Sequence, residues 1–122
     1  MLVLALGAAV IAPAPAARPV AVQRSEAQRI YAKWCSDCHS VPGRPGSMAL
    51  ERKYHGNPSA ILEQRTDLNP DYVKLVVRHG ISFMPSFRKT EISDAELALV
   101  ADYLAHPAAG DAKPGKAKAG GK

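Results

Sequence analysis

The chain has 122 residues, 22% of them charged, and a net charge of +5. That length accommodates one domain. The basic excess forms no stripe with interleaved aromatics, which excludes nucleic acid as the reading of the charge.

The first segment, residues 1–17, contains no charged residue. Leu2 to Ala12 is apolar, and Ala14-Pro15-Ala16 fits an A-x-A cleavage site, so a secretory signal peptide is expected. No Lys or Arg precedes the apolar run, which leaves an upstream or truncated start open. The run is short for a membrane span, which needs about 20 residues. Cleavage near Ala16 or Ala17 is therefore expected, with an uncleaved anchor as the alternative. Either outcome places the folded part in the periplasm or otherwise outside the cytoplasm.

A helix is expected from Ser25. Ser25-Glu26-Ala27-Gln28 fits a capping box, and Ala27, Ile30, Tyr31 and Trp34 follow at helical spacing. This helix runs into Cys35-Ser36-Asp37-Cys38-His39, which reads C-x-x-C-H, the attachment sequence for c-type haem. Two thiols three positions apart can form thioethers with the two vinyl groups of one haem. The adjoining His39 can then supply a proximal imidazole to the iron. Cys35 and Cys38 are the only cysteines in the chain, and a single motif implies a single haem. Trp34 also makes a W-C-x-x-C pattern, so a thiol-disulfide oxidoreductase is the alternative of another class. That reading needs a strand before the motif, where the periodicity indicates a helix. A plain disulfide is a further reading, and zinc would need four ligands where only three are local.

Ser40 to Leu68 is expected to be a long loop that wraps a group, with a short helix around Pro58 to Gln64 capped by Asn57. A second helix is expected from Asn69, with Asn69 as N-cap, Pro70 at the first position and Gly80 as the stop. Val73, Val76 and Val77 mark its inner face. A third helix is expected from the capping box Ser93-Asp94-Ala95-Glu96, ending at His106-Pro107. Leu97, Val100, Ala101 and Leu104 form its apolar stripe, with Tyr103 beside it. The class is all-α: three main helices plus long loops. A domain over residues 23–107 is small enough to need a staple, which a covalent haem would provide. Residues 108–122 carry four lysines against one aspartate, so this basic tail holds +3 of the chain's +5 and is expected to be disordered. It is read as a solubilising tail, or as a tether to an anionic membrane or an acidic partner.

These residues resemble a class I c-type cytochrome. In that family a helix leads into C-x-x-C-H, a loop carries Met-Pro, and a C-terminal helix with an aromatic crosses the first. The matching elements here are Ile30 to Cys35, Met84-Pro85-Ser86-Phe87, and Leu97 to Leu104 with Tyr103. The resemblance implies one covalent haem c and single-electron transfer between redox partners, in a carrier and not an enzyme. It also implies a proline carbonyl, of Pro42 or Pro45, accepting from the proximal His39. The family often has glycine where this chain has Ala27. The stretch Tyr72 to Tyr103 is also similar to the cytochrome subunit of p-cresol methylhydroxylase-type flavocytochromes. That implies a flavoprotein partner that oxidises an alkylphenol.

Met84 is the expected sixth iron ligand. It lies 45 residues after His39, before a proline, on a loop that can be rigid. Met48, nine residues after His39, is expected to pack beside the porphyrin. His79 is read as a helix cap or a propionate contact, and His55 and His106 as solvent-facing. Phe83 and Phe87 are expected to seal the crevice around Met84. Ile30, Tyr31 and Trp34 are read as haem neighbours or interhelical core. Arg78, Arg88 and Lys89 are read as a rim that steers an acidic partner or as a solvated loop.

Overall fold

A helix begins five residues before the expected capping box. In the computed structural model, which describes residues 17–108, α1 spans Val20–Trp34 with Pro19 at its N-cap. Ser25 does not cap it: its hydroxyl donates to the Val22 carbonyl at 2.9 Å, inside the helix. A serine there bonds the preceding turn and leaves the helix intact. The inner face of α1 is Ala27, Ile30 and Tyr31, all buried. The calls for a leader over residues 1–17 and for a tail over residues 108–122 lie outside the described residues, apart from Ala17 and Ala108.

The one-turn helix α2 (Ser36–His39) follows directly. Helix α3 (Pro45–Tyr54) then occupies the segment expected to be a loop. Its local signals are ordinary: Pro45 at the first position, and Ser47 accepting the Arg44 backbone N–H at 3.1 Å. His55, in the left-handed conformation with φ 52°, ends it ahead of Gly56. Apolar periodicity misses this helix because its buried residues are only Gly46 and Ser47. The expected helix around Pro58 is reduced to a 3-10 turn, Leu62–Gln64. The Ser59 hydroxyl meets the Ile61 N–H at 3.1 Å just before it, a side-chain bond that competes with helical pairing.

Helix α4 (Pro70–His79) has the expected cap, with Asn69 Oδ1 accepting from the Asp71 and Tyr72 N–H groups. Val73 and Val77 are buried, and Gly80 stops the helix at φ 72°. Helix α5 (Asp94–Ala105) carries the full capping box between Ser93 and Glu96. Leu97, Val100, Ala101, Tyr103 and Leu104 are all buried on it. Helix α5 packs on both α1 and α4, and one continuous core joins these three helices with Ile92. The fold is all-α; among the described residues the only β pairing is an isolated bridge between Ile81 and Met84. Among the described residues, no helix is long and apolar enough to cross a membrane.

Candidate functional site

Helix α1 delivers both thiols to its C-terminal end. The Cys35 N–H donates to Tyr31 at 2.8 Å, and the chain then coils once more. The Cys38 and His39 N–H groups both point to the Cys35 carbonyl, at 3.2 and 3.1 Å. Ser36 braces the junction by donating to the Ala32 carbonyl at 2.8 Å. Cys35, Cys38 and His39 thus stand at i, i+3 and i+4 on one helical turn, the spacing that puts side chains on one face. Both cysteines are free thiols, Cys38 exposed and Cys35 partly buried.

His39 is seated against the start of α3. A Cβ on Gly46 would lie 2.6 Å from His39 Cε1, 2.8 Å from Nδ1 and 2.7 Å from the Cys38 carbonyl oxygen. Only a residue without a side chain lets the imidazole lie there. His39 Nδ1 is buried and has no hydrogen-bond partner. The expected acceptance by a Pro42 or Pro45 carbonyl is therefore absent; the nitrogen packs on Gly46 instead. With Nδ1 held against this backbone, Nε2 is the nitrogen left for a metal. Burial lowers the His39 pKa, which favours the neutral, ligating imidazole.

Met84 sits on a second rigid piece. Ile81 and Met84 exchange backbone hydrogen bonds, at 3.2 and 2.9 Å, across a turn with Ser82 at φ 54°. The turn lies on Gly80, where a Cβ would come within 2.6 Å of the Met84 carbonyl oxygen. The exit is pinned by the Phe87 N–H donating to Val77 at 2.8 Å and by Arg78 donating to the Phe87 carbonyl at 3.0 Å. Met84 is partly buried and packs against the core. The attachment turn and this loop meet through Trp34 and Phe87, whose rings contact edge-to-face with centroids 5.9 Å apart. Phe87 packs inward on Trp34, whereas Phe83 is 64% exposed.

The other candidates lie apart. Met48 is on the rim of a cavity of about 860 Å³ between α3 and the segment 56–64, which Ser40 and Gln64 also line. His79 Nδ1 lies 2.9 Å from the Leu75 carbonyl, a contact within its own helix end. His55 and His106 are exposed. Arg78 donates to Asp94 at 2.8 Å, Lys89 pairs with the same carboxylate, and Arg88 pairs with Glu91. Arg78 and Lys89 thus tie the loop to the start of α5, while Arg88 pairs within the loop. Tyr31 and Tyr103 pack together, with ring centroids 5.9 Å apart, between α1 and α5. Sequence reasoning missed Gly46, whose approach to His39 depends on how the chain between them folds back.

This arrangement fits a covalent haem better than a dithiol. The motif follows a helix, not a strand. Burial, then the neighbouring Cys38, pushes the Cys35 thiol up to about 12, against what a dithiol nucleophile needs. Among the described residues no cluster of three His, Cys, Asp or Glu side chains is placed to hold a metal ion, so zinc has no ligand set. The glycine seat suits an imidazole that would be held in one orientation for a haem iron. A family model described as cytochrome C oxidase, cbb3-type, subunit III matches residues 22–104. No curated relative and no solved structure matches the chain.

Proposed function

The chain belongs to that family of c-type cytochrome domains, and from this premise we propose that it is an exported monohaem electron carrier with His39 and Met84 as axial ligands. The carrying observation is the single helical turn that presents Cys35, Cys38 and a Gly46-seated His39 together. When bound, the haem supplies a one-electron ferric/ferrous couple. The chain's own residues do the rest: the two thiols anchor the group, and Gly46 orients the imidazole. The Gly80–Phe87 framework holds Met84 on a braced loop, whose Phe87 packs on Trp34 beside the attachment turn. A methionine and a histidine holding the iron together would raise its potential, which suits electron transfer. Export is supported by the apolar run and the A-x-A site of the leader.

A dedicated flavoprotein partner is the second reading. It is favoured by the sequence likeness over Val77-Arg78-His79-Gly80 and Phe83 to Phe87. Co-purification with a flavin-containing chain would distinguish it from a free carrier.

The first test is a haem stain on a denaturing gel, after expression with the c-type maturation machinery. Haem retained through denaturation means thioether attachment. Met84→Ala should then lose the weak long-wavelength band of the oxidised protein and gain carbon monoxide binding. A variant identical to wild type in both respects removes Met84 as ligand.

A further inference from the structure

A polar bracket ties the attachment turn to the helices behind it, and Glu63 is its centre. Glu63 Oε2 accepts from the Ser40 hydroxyl at 2.9 Å, and Oε1 accepts from the Tyr103 hydroxyl at 2.7 Å. Ser40 Oγ also lies 3.2 Å from the Tyr31 hydroxyl. A serine hydroxyl has one proton to give. With that proton on the bond to Glu63, the Tyr31 hydroxyl is the donor to Ser40. Every proton then has an acceptor, and Glu63 acts only as an acceptor, which is the ionised carboxylate. A proton on Oε2 would reverse the Ser40 bond and leave the proton of Tyr31, a residue only 2% exposed, with no acceptor in the bracket. A proton on Oε1 would reverse the Tyr103 bond instead. The hydrogen-bond geometry therefore favours a fixed negative charge.

That charge is tied by one side chain to the residue next to the proximal ligand. Its partners are neutral hydroxyls. Arg65, two residues on, is already bidentate with Asp67, and Arg24 of α1 lies over the Tyr103 ring. We infer that Glu63 is an electrostatic positioning residue: its carboxylate, fixed by Ser40 and Tyr103 beside the attachment turn, biases the bound haem toward the ferric state. Oxidation adds one positive charge at the iron, and a nearby carboxylate in partly buried surroundings stabilises it by Coulomb attraction. The inference rests on the haem reading above.

The test is a mediated optical redox titration of the haem-loaded full chain, with dithionite as reductant and ferricyanide as oxidant. Each ferric haem takes one electron from the mediator, and no proton is required. Glu63→Gln keeps the size and loses the charge. At the wild-type midpoint its ferrous-to-ferric ratio should rise about threefold to tenfold, with the axial-ligand spectrum unchanged. Tyr103→Phe removes one hydrogen bond but leaves the charge on Ser40, so its midpoint should stay close to wild type while its thermal stability falls. If Glu63→Gln accumulates without haem, Glu63→Ala reads the same effect, because it also removes the charge and puts no amide donor into the bracket; its midpoint should also move upward. A haem-loaded variant with the wild-type midpoint overturns this role alone. A wild-type chain that carries no haem overturns both this role and the reading beneath it.

Discussion

Gly46 does more for the site than its position in a helix suggests. Within a helix, replacing glycine by alanine ordinarily gains about 1 kcal/mol. Here the added Cβ would meet His39 Cε1 at 2.6 Å and the Cys38 carbonyl oxygen at 2.7 Å. The ring could turn aside, but the carbonyl belongs to the turn that carries both thiols. Gly46→Ala is therefore expected to destabilise the protein by about 1–3 kcal/mol, the usual cost of overpacking. Urea unfolding gives the stability, and the absorption spectrum of the haem-loaded variant reports the displaced imidazole. A variant more stable than wild type, with an unchanged spectrum, would show that the seat is not tight.

Helix α5 is the element on which the others depend, since α1 and α4 both pack against it. Its start is secured twice: Ser93 Oγ accepts the Glu96 N–H at 3.2 Å, and Glu96 Oε2 accepts the Ser93 N–H at 2.8 Å. Ser93→Ala should cost about 1 kcal/mol, seen as a thermal midpoint lowered by roughly 4–8 °C in a domain of this size. Ser25→Ala offers the contrast. Ser25 lies inside α1 and caps nothing, so its replacement should change stability by less than about 0.5 kcal/mol, the small change usual for surface sites. Equal losses in the two variants would contradict the assigned start of α1.

At the scale of the whole molecule, acidic side chains hold the segments between helices. Asp67 is kept below the usual carboxylate range by the Arg65 guanidinium. Asp94 is lowered by Lys89 and then Arg78, and Glu96 by the Ser93 backbone and hydroxyl. Each of these groups is more acidic folded than unfolded. Their stabilisation is thus fully present above the ordinary values, near 4, and is lost as pH falls through the lower folded values. Thermal midpoints followed by circular dichroism should decline gently below about pH 6.5, where the unfolded chain protonates His39 before the folded one does, and fall further below about pH 4. The decline should be smaller in high salt, because these carboxylates are largely exposed. Asp94 also receives Arg78, which holds the Phe87 carbonyl. Acid should therefore loosen the Met84 loop from α5, and the long-wavelength band should fade alongside the midpoint. A midpoint that falls no further by pH 3 would show that these contacts contribute nothing.

Much of this protein was legible locally. Caps are read over a few residues, so Asn69, Ser93 and the Gly80 stop were found where they are. The stripe of α5 was legible because its buried side chains recur at helical spacing. The C-x-x-C-H spacing is likewise a short-range constraint, and it determined the chemistry to look for. Helix α3 escaped because it buries a glycine and a serine, which leave no apolar period. The start of α1 escaped because a capping pattern inside a helix looks the same in sequence as one at its end. Contacts between distant segments were beyond reach altogether: Gly46 beneath His39, Phe87 on Trp34, and Glu63 between Ser40 and Tyr103. Sequence spacing says which side chains share a turn of helix. Which turns meet is decided only when α1, α4 and α5 close on one core, because that packing sets the distances across which these groups act.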